Sequence, residues 1–288
     1  MKFGTFFAYW AHEWAGDYMA YARRIRSLGF DVIEISAGQL LALSDKQLVE
    51  MRALCRDIGL EVSSNIGPAK QYDVSSSDPA VRQAGIEYLS AIMRRMSILD
   101  SQVLIGILYS HWPYDFVDTD KPAVWSRAVQ SVKALGNYAE SQGIRLCLEV
   151  VNRFENFLLN TSEEAIRFLN DVEMRNVEVL LDTFHMNIEE DSIPDAIRLA
   201  EGRLGHLHVG EGNRKVPGKG HLPWKEIGKA LKDISYDRFV IMEPFVLKGG
   251  QIGNDIKVWR DLSGGADQAR LDADIKASLA FLKDAFLG

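Results

Sequence analysis

The chain has 288 residues, 47% hydrophobic and 25% charged, with a net charge of −7 and a pI near 5.5. That is ordinary globular composition with length enough for a large core. It lacks the basic footprint of nucleic-acid binders and the run of about 18 apolar residues that a membrane span needs. Cys55 and Cys147 show neither CxxC nor disulfide-framework spacing, which suits a reducing compartment and makes a cytoplasmic protein the expectation.

The apolar start FGTFFAYWA is short and aromatic, and it runs into His12 and Glu13 without a small-residue cleavage site. It reads as a first strand over 2–9 rather than a leader. Further strands are expected at 31–36, 61–67, 101–108, 145–151, 177–183, 204–210 and 239–245. Helical patterns lie between them, for instance Asp45 to Asp57, Ala80 to Leu99 and Val124 to Gln142, and turns such as SLGF, DIGL and SQGI place Gly at the helix C-cap. Strands alternating with helices predict a parallel sheet, and the count of eight predicts an α/β fold with one domain over 1–288, a closed (β/α)8 TIM barrel. A doubly wound sheet is the alternative. It typically opens on a Gly-rich phosphate turn after strand one, and FFAYWAHEW has none.

In such a barrel, function belongs at the C-terminal ends of the strands. Glu149, Asp182, His208 and Glu243 stand there in the last four strands, about one βα unit apart. Asp182 poses the sharpest question, because it ends the apolar run VEVLL and an unpaired buried carboxylate is expensive. Three carboxylates converging on one small site repel unless a cation neutralises them. With one His they form a mixed oxygen and nitrogen set suited to Mn²⁺, Mg²⁺ or Co²⁺ rather than to a thiolate-type zinc site. A single acid at a strand end is commonly a loop contact; four in consecutive strands point to a divalent metal.

Other residues near the mouth have two readings. His206 shares strand parity with His208 and is expected one layer deeper as a satisfied core His. Glu34 is either a further inward acid or the partner of an Arg, and Cys147 fills barrel volume. Arg153, Glu155, Glu211 and Arg214 follow the strands and either form solvated salt bridges or hold hydroxyls of a small polyol. The aromatics Phe6, Phe7, Tyr9, Trp10, Trp14, Trp112 and Phe245 crowd the same end, as core packing or as a platform for sugar C–H faces. GKG lacks the rest of a phosphate-loop pattern.

The stretches EVVNRFENFLLNTSEEA, LLDTFHMNIEED, HVGEGNRKVPGKGHLPW and MEPF with GGQIGNDIKVWRDLS resemble the D-tagatose/D-allulose (psicose) 3-epimerases, the ketose 3-epimerase family; AYWAHEWAGDY and LYSHWPYDF are similar too. The resemblance spans essentially the whole chain. It implies a xylose-isomerase-like TIM barrel that binds Mn²⁺ or a similar divalent ion, takes a small ketose substrate, and assembles as a homodimer or homotetramer. Carried over, it makes Glu149, Asp182, His208 and Glu243 metal ligands, with Glu149 and Glu243 also the acid–base pair. Glu155, His185 and Arg214 fall on substrate-contacting positions, and Phe6, Trp112 and Phe245 are the expected aromatic contacts. The chain departs from the family at Gly212, where Cys is common, and at His111, where Tyr is usual; both changes bear on substrate preference. The implied reaction is epimerisation at C3 of a ketose by two carboxylates through a cis-enediolate. The rivals are a 1,2-aldose–ketose isomerase on the same barrel, a non-catalytic sugar-binding protein and, more remotely, a nuclease-like metal barrel.

Overall fold

A computed structural model describes all 288 residues. Its eight strands are β1 (Lys2–Phe6), β2 (Val32–Ser36), β3 (Glu61–Ile66), β4 (Val103–Gly106), β5 (Arg145–Val150), β6 (Val177–Asp182), β7 (Leu204–Val209) and β8 (Phe239–Met242). All pairings are parallel, and β8 returns to β1, so the sheet closes into the expected barrel. The long outer helices start where their caps dictate. Ser44 and Gln47 form a reciprocal capping box ahead of Asp45–Ile58, while Asp78 caps Pro79–Leu99 and Asp120 caps Lys121–Ser141. Gly59 and Gly143, both at φ 67°, supply the left-handed residues that end two of the expected helix-to-strand turns. No helix is long and apolar enough to cross a membrane.

Three strands are shorter than their apolar runs. Phe7–Trp10 wind into a 3-10 helix with all four residues buried, so hydrophobicity alone could not separate them from β1. Gly106 ends β4 at φ 116°, where a Cβ would meet the Ile66 carbonyl oxygen at 2.2 Å. Pro244 follows Glu243 and has no N–H for a ladder, which leaves β8 ending at Met242.

Alternation along the strands builds the interior in layers. Val103, Ile105, Cys147 and Leu180 form a small apolar cluster with Phe239 inside the barrel. Cys147 fills volume there as expected, its thiol pushed well up by burial and then by Glu178. An Arg145–Glu178 ion pair at 2.5 Å occupies the N-terminal end. One layer above the apolar cluster, towards the mouth, the inward positions become ionisable.

Candidate active site

Asp182 is at once the last residue of β6 and the N-cap of the short helix Thr183–Glu189: the Phe184 N–H donates to its Oδ1 at 2.7 Å. Its other oxygen, Oδ2, is buried without a hydrogen-bond partner, and so is His208 Nδ1. These two orphaned atoms lie 4.0 Å apart. Glu243 Oε1 is 3.5 Å and Glu149 Oε1 3.8 Å from the same Nδ1. One donor atom from each of Glu149, Asp182, His208 and Glu243 lies within 4.8 Å of every other. Four acceptors turned towards a common point, three of them on carboxylates and two of them (Asp182 Oδ2 and His208 Nδ1) without a partner, are what a divalent cation fits.

The electrostatics agree with that fit. Burial and then the Glu243 charge push the Glu149 carboxyl well above the usual range. Burial likewise raises Glu243, against the opposing pull of His208. The His208 imidazole is held well above its usual range, because Glu34 and Glu243 together outweigh its burial. Without a cation this cluster takes up protons to relieve its own repulsion.

Beside it lies a cavity of ≈ 320 Å³. Glu149 and Glu243 line it, with His185, Glu155 and Arg214 on one side. The His185 ring is fixed from behind: the Asn152 backbone N–H donates to Nδ1 at 3.2 Å, and the Asn152 side-chain amide is 2.7 Å from the same atom. Nδ1 therefore accepts, and the proton sits on Nε2, 3.7 Å from Glu149 Oε1. Burial lowers the His185 pKa, which keeps the ring neutral. Glu155 accepts from Asn152 Nδ2 at 3.1 Å, Trp112 Nε1 at 3.0 Å and Arg214 Nη2 at 3.3 Å. Despite burial, the Arg214 charge and the Trp112 and Asn152 donors hold its carboxyl below the usual range. The Arg214 guanidinium sits 3.5 Å over the Phe184 ring and 5.3 Å from that of Phe245, with Nη1 3.7 Å from Glu243 Oε2.

The aromatics divide. Phe6, Trp14, Trp112 and Phe245 line the cavity, with Trp14 6.1 to 6.3 Å from each of the other three ring centroids. Phe7, Tyr9 and Trp10 are buried core.

Arg153 takes the salt-bridge reading: its exposed side chain pairs with Glu189, Nη2 to Oε2 at 2.8 Å, and does not line the cavity. Several other expectations need correction. Glu211 forms neither a solvated salt bridge nor a polyol contact. It is fully buried and accepts from the backbone N–H groups of Gly218, His221 and Leu222 and from Trp224 Nε1, which fastens the loop after β7. Glu34 has no Arg partner; it lies against His206 and His208. His206 is deeper than His208, but both of its ring nitrogens are buried without a hydrogen-bond partner, so it is not a satisfied core His. Neither Gly212 nor His111 lines the cavity. A Cβ on Gly212 would meet the Asn187 side chain at 2.7 Å, and His111 is buried against Asp73, 2.9 Å from its Oδ2.

Asn65 and Asn152 were missed. Asn65 Nδ2 donates to both Glu34 Oε1 and Glu243 Oε1 at 3.3 Å. The signal for it was an amide in EVSSNI, a strand whose other inward positions had to be buried. A search restricted to ionisable groups passes over it.

The xylose isomerase-like TIM barrel family matches residues 22–284. The chain is 49% identical over 282 residues to the D-psicose 3-epimerase of Agrobacterium fabrum, covering 98% of both chains. Among solved structures, a D-psicose 3-epimerase in the presence of D-fructose superposes with a TM-score of 0.98 at 48% identity over 100% of both chains. The D-psicose 3-epimerase of Clostridium cellulolyticum H10 with D-tagatose gives 0.98 at 47% identity over 99% of each.

Proposed function

The chain belongs to the xylose isomerase-like TIM barrel family and, within it, to the ketose 3-epimerases; on that premise we propose that it interconverts the C3 epimers of free ketohexoses, D-fructose and D-psicose (D-allulose) first among them, with Glu149 and Glu243 exchanging protons with opposite faces of C3. The observation that carries this reading is the pair itself. Two buried glutamates from strands three steps apart in the ring line one cavity, and burial raises the proton affinity of both. Removing a proton from one face of C3 and returning one to the other needs a base on each side. D-tagatose and D-sorbose, or L-ribulose and L-xylulose, are the further pairs the same chemistry serves.

The cavity supports an uncharged sugar. Arg214 is its one Lys or Arg, and it stands among the carboxylates Glu149, Glu155 and Glu243, a charge balance that disfavours a phosphate. The aromatic wall offers faces to sugar C–H groups. His185 presents its Nε2 proton to a substrate oxygen, while Glu155 and Arg214 take hydroxyls near C1 to C3. Asn65 steadies Glu243 through Oε1 and leaves Oε2 for the substrate.

Glu149, Asp182, His208 and Glu243 would hold a divalent ion, Mn²⁺ by preference with Co²⁺ or Mg²⁺ as alternatives. It would supply Lewis-acid stabilisation of the charge that develops over O2 and O3 as C3 loses its proton, worth several kcal/mol. Glu149 takes the proton in one direction and Glu243 returns one to the opposite face; the roles exchange in reverse. The surrounding rings keep bulk water from the carbanionic cis-enediolate.

Chromatography of products from Mn²⁺-supplemented protein offered D-fructose, D-tagatose and L-ribulose tests the assignment. A C3 epimer is the expected product; an aldose makes the protein a 1,2-isomerase, and bound sugar without product makes it a binding protein. A homodimer or homotetramer is part of the same proposal, supported by the exposed apolar side chains of Val117, Phe154 and Trp259. So is a reducing, cytoplasmic setting, supported by two unpaired cysteines.

A further inference from the structure

Glu34 is the one fully buried carboxylate of the barrel interior that the proposed reaction leaves unused. It has no exposed surface, no Lys or Arg beside it, and no place in the cavity lining. A carboxylate in that position is costly unless donors surround it. Two meet it, Ser63 Oγ donating to Oε2 at 2.9 Å and Asn65 Nδ2 to Oε1 at 3.3 Å, and two imidazoles stand at ion-pair distance without hydrogen-bond alignment, His206 Nε2 3.2 Å from Oε2 and His208 Nε2 2.9 Å from Oε1. Burial opposes its charge, yet the two imidazoles hold the carboxyl well below the usual range.

Two of these groups, His208 and Asn65, lead back to the candidate metal centre. The opposite nitrogen of His208, Nδ1, is the atom turned to Glu149, Asp182 and Glu243. Asn65 spends its amide on Glu34 and on Glu243 together. We propose that Glu34 is the positioning residue of the metal centre: it claims the Nε2 proton of His208, leaving the Nδ1 lone pair free to ligate, and through Asn65 it fixes the rotamer of Glu243. An imidazole that ligates keeps one proton, and the carboxylate 2.9 Å from Nε2 places that proton there, so Nδ1 is the nitrogen left to face the ion. The inference rests on the metal-centre reading above and adds a residue to it. Glu34 touches neither substrate nor ion, so it acts only through His208 and Asn65.

The test is Glu34→Gln, which keeps the volume and replaces one acceptor oxygen by a donor amide. Metal-stripped wild type and E34Q are titrated calorimetrically with Mn²⁺, with folding followed by circular dichroism. The wild type should bind one ion per chain, and folded E34Q should bind about 10- to 100-fold more weakly, the usual cost of losing an outer partner of a metal-bound His. Folded E34Q with wild-type affinity overturns the proposal. A second ion per wild-type chain also overturns it, because Glu34, His206 and His208 would then be ligands themselves. No binding by the wild type removes the metal centre and the inference together, whereas normal wild-type binding with an indifferent E34Q removes the inference alone. If E34Q does not fold, ¹⁵N-histidine NMR of Mg²⁺-loaded wild type decides, with His208 identified by its loss in His208→Asn. A proton on Nε2 upholds the assignment and a proton on Nδ1 overturns it.

Discussion

Asn152 grips His185 twice, with its backbone N–H 3.2 Å and its side-chain amide 2.7 Å from the same ring nitrogen, Nδ1. The same amide reaches Glu155 at 3.1 Å, so one asparagine sets the proton of a cavity histidine and the orientation of a cavity carboxylate. Asn152→Ala should keep the fold, since the backbone donor remains. It should lower kcat/KM by about 10-fold, or ~1.4 kcal/mol, one hydrogen bond's worth. Steady-state kinetics on D-fructose checks this; an unchanged kcat/KM would mean that the side-chain contact to His185 is idle.

Glu149→Gln and Glu243→Gln should each remove turnover, by a factor of at least about 10² to 10⁴, the usual contribution of a positioned acid–base group. Both residues also belong to the candidate ligand set. Metal content must therefore be measured beside the rates, and the loss should persist with saturating Mn²⁺. Either variant retaining wild-type rates would sink the two-base assignment.

Metal affinity should rise with pH. Glu149 and His208 both hold their protons more tightly than free Glu and His do in the metal-free protein, and both must give them up to ligate. Binding therefore releases protons, and Kd falls as pH climbs through the range where these groups titrate. Calorimetry in buffers of different ionisation enthalpy counts the protons. No release, with Kd flat in pH, would contradict the site as described.

Glu211→Ala should destabilise the chain by about 3 kcal/mol, because it leaves buried donors of the loop after β7 unpaired. The loop it fastens carries Arg214, whose backbone N–H donates to the Glu211 carbonyl at 2.9 Å, so KM should rise as well. Urea unfolding and kinetics report the two effects separately. Full stability in the variant would show that water replaces the carboxylate without cost.

Cys55 and Cys147 should resist alkylation in the folded protein and react on unfolding. Burial pushes the Cys55 thiol up to about 11, and Cys147 is fully enclosed, so neither supplies thiolate near neutral pH. Mass spectrometry after iodoacetamide treatment distinguishes the cases; rapid native labelling of Cys147 would mean that the barrel interior opens.

The barrel was legible because its signals are local: apolar runs, caps such as Ser44 with Gln47, and Gly at helix ends. The ionisable residues at the ends of β5 to β8 were legible for the same reason, since strand parity and a spacing of one βα unit suffice to bring them together. What escaped was set across the barrel. Glu34 faces His206 and His208 five strands further along the chain, and no run of residues around it reveals that partner. Glu211 looked like a loop acid because its acceptor role depends on how the chain folds back from Gly218 to Trp224. Asn65 carries no charge, and its value comes only from the two carboxylates between which it sits.

If Glu149 and Glu243 exchange protons with opposite faces of C3 while a metal is bound, solvent deuterium must enter at C3, and proton NMR in D₂O reads that entry. Metal-stripped and Mn²⁺-restored protein are compared on D-fructose, with excess chelator removing the paramagnetic ion before the spectra are taken. Deuterium at C3, together with growing D-psicose, is expected only in the restored sample. Deuterium at C1 with an aldose product, or C3 exchange that survives removal of the metal, would contradict that expectation.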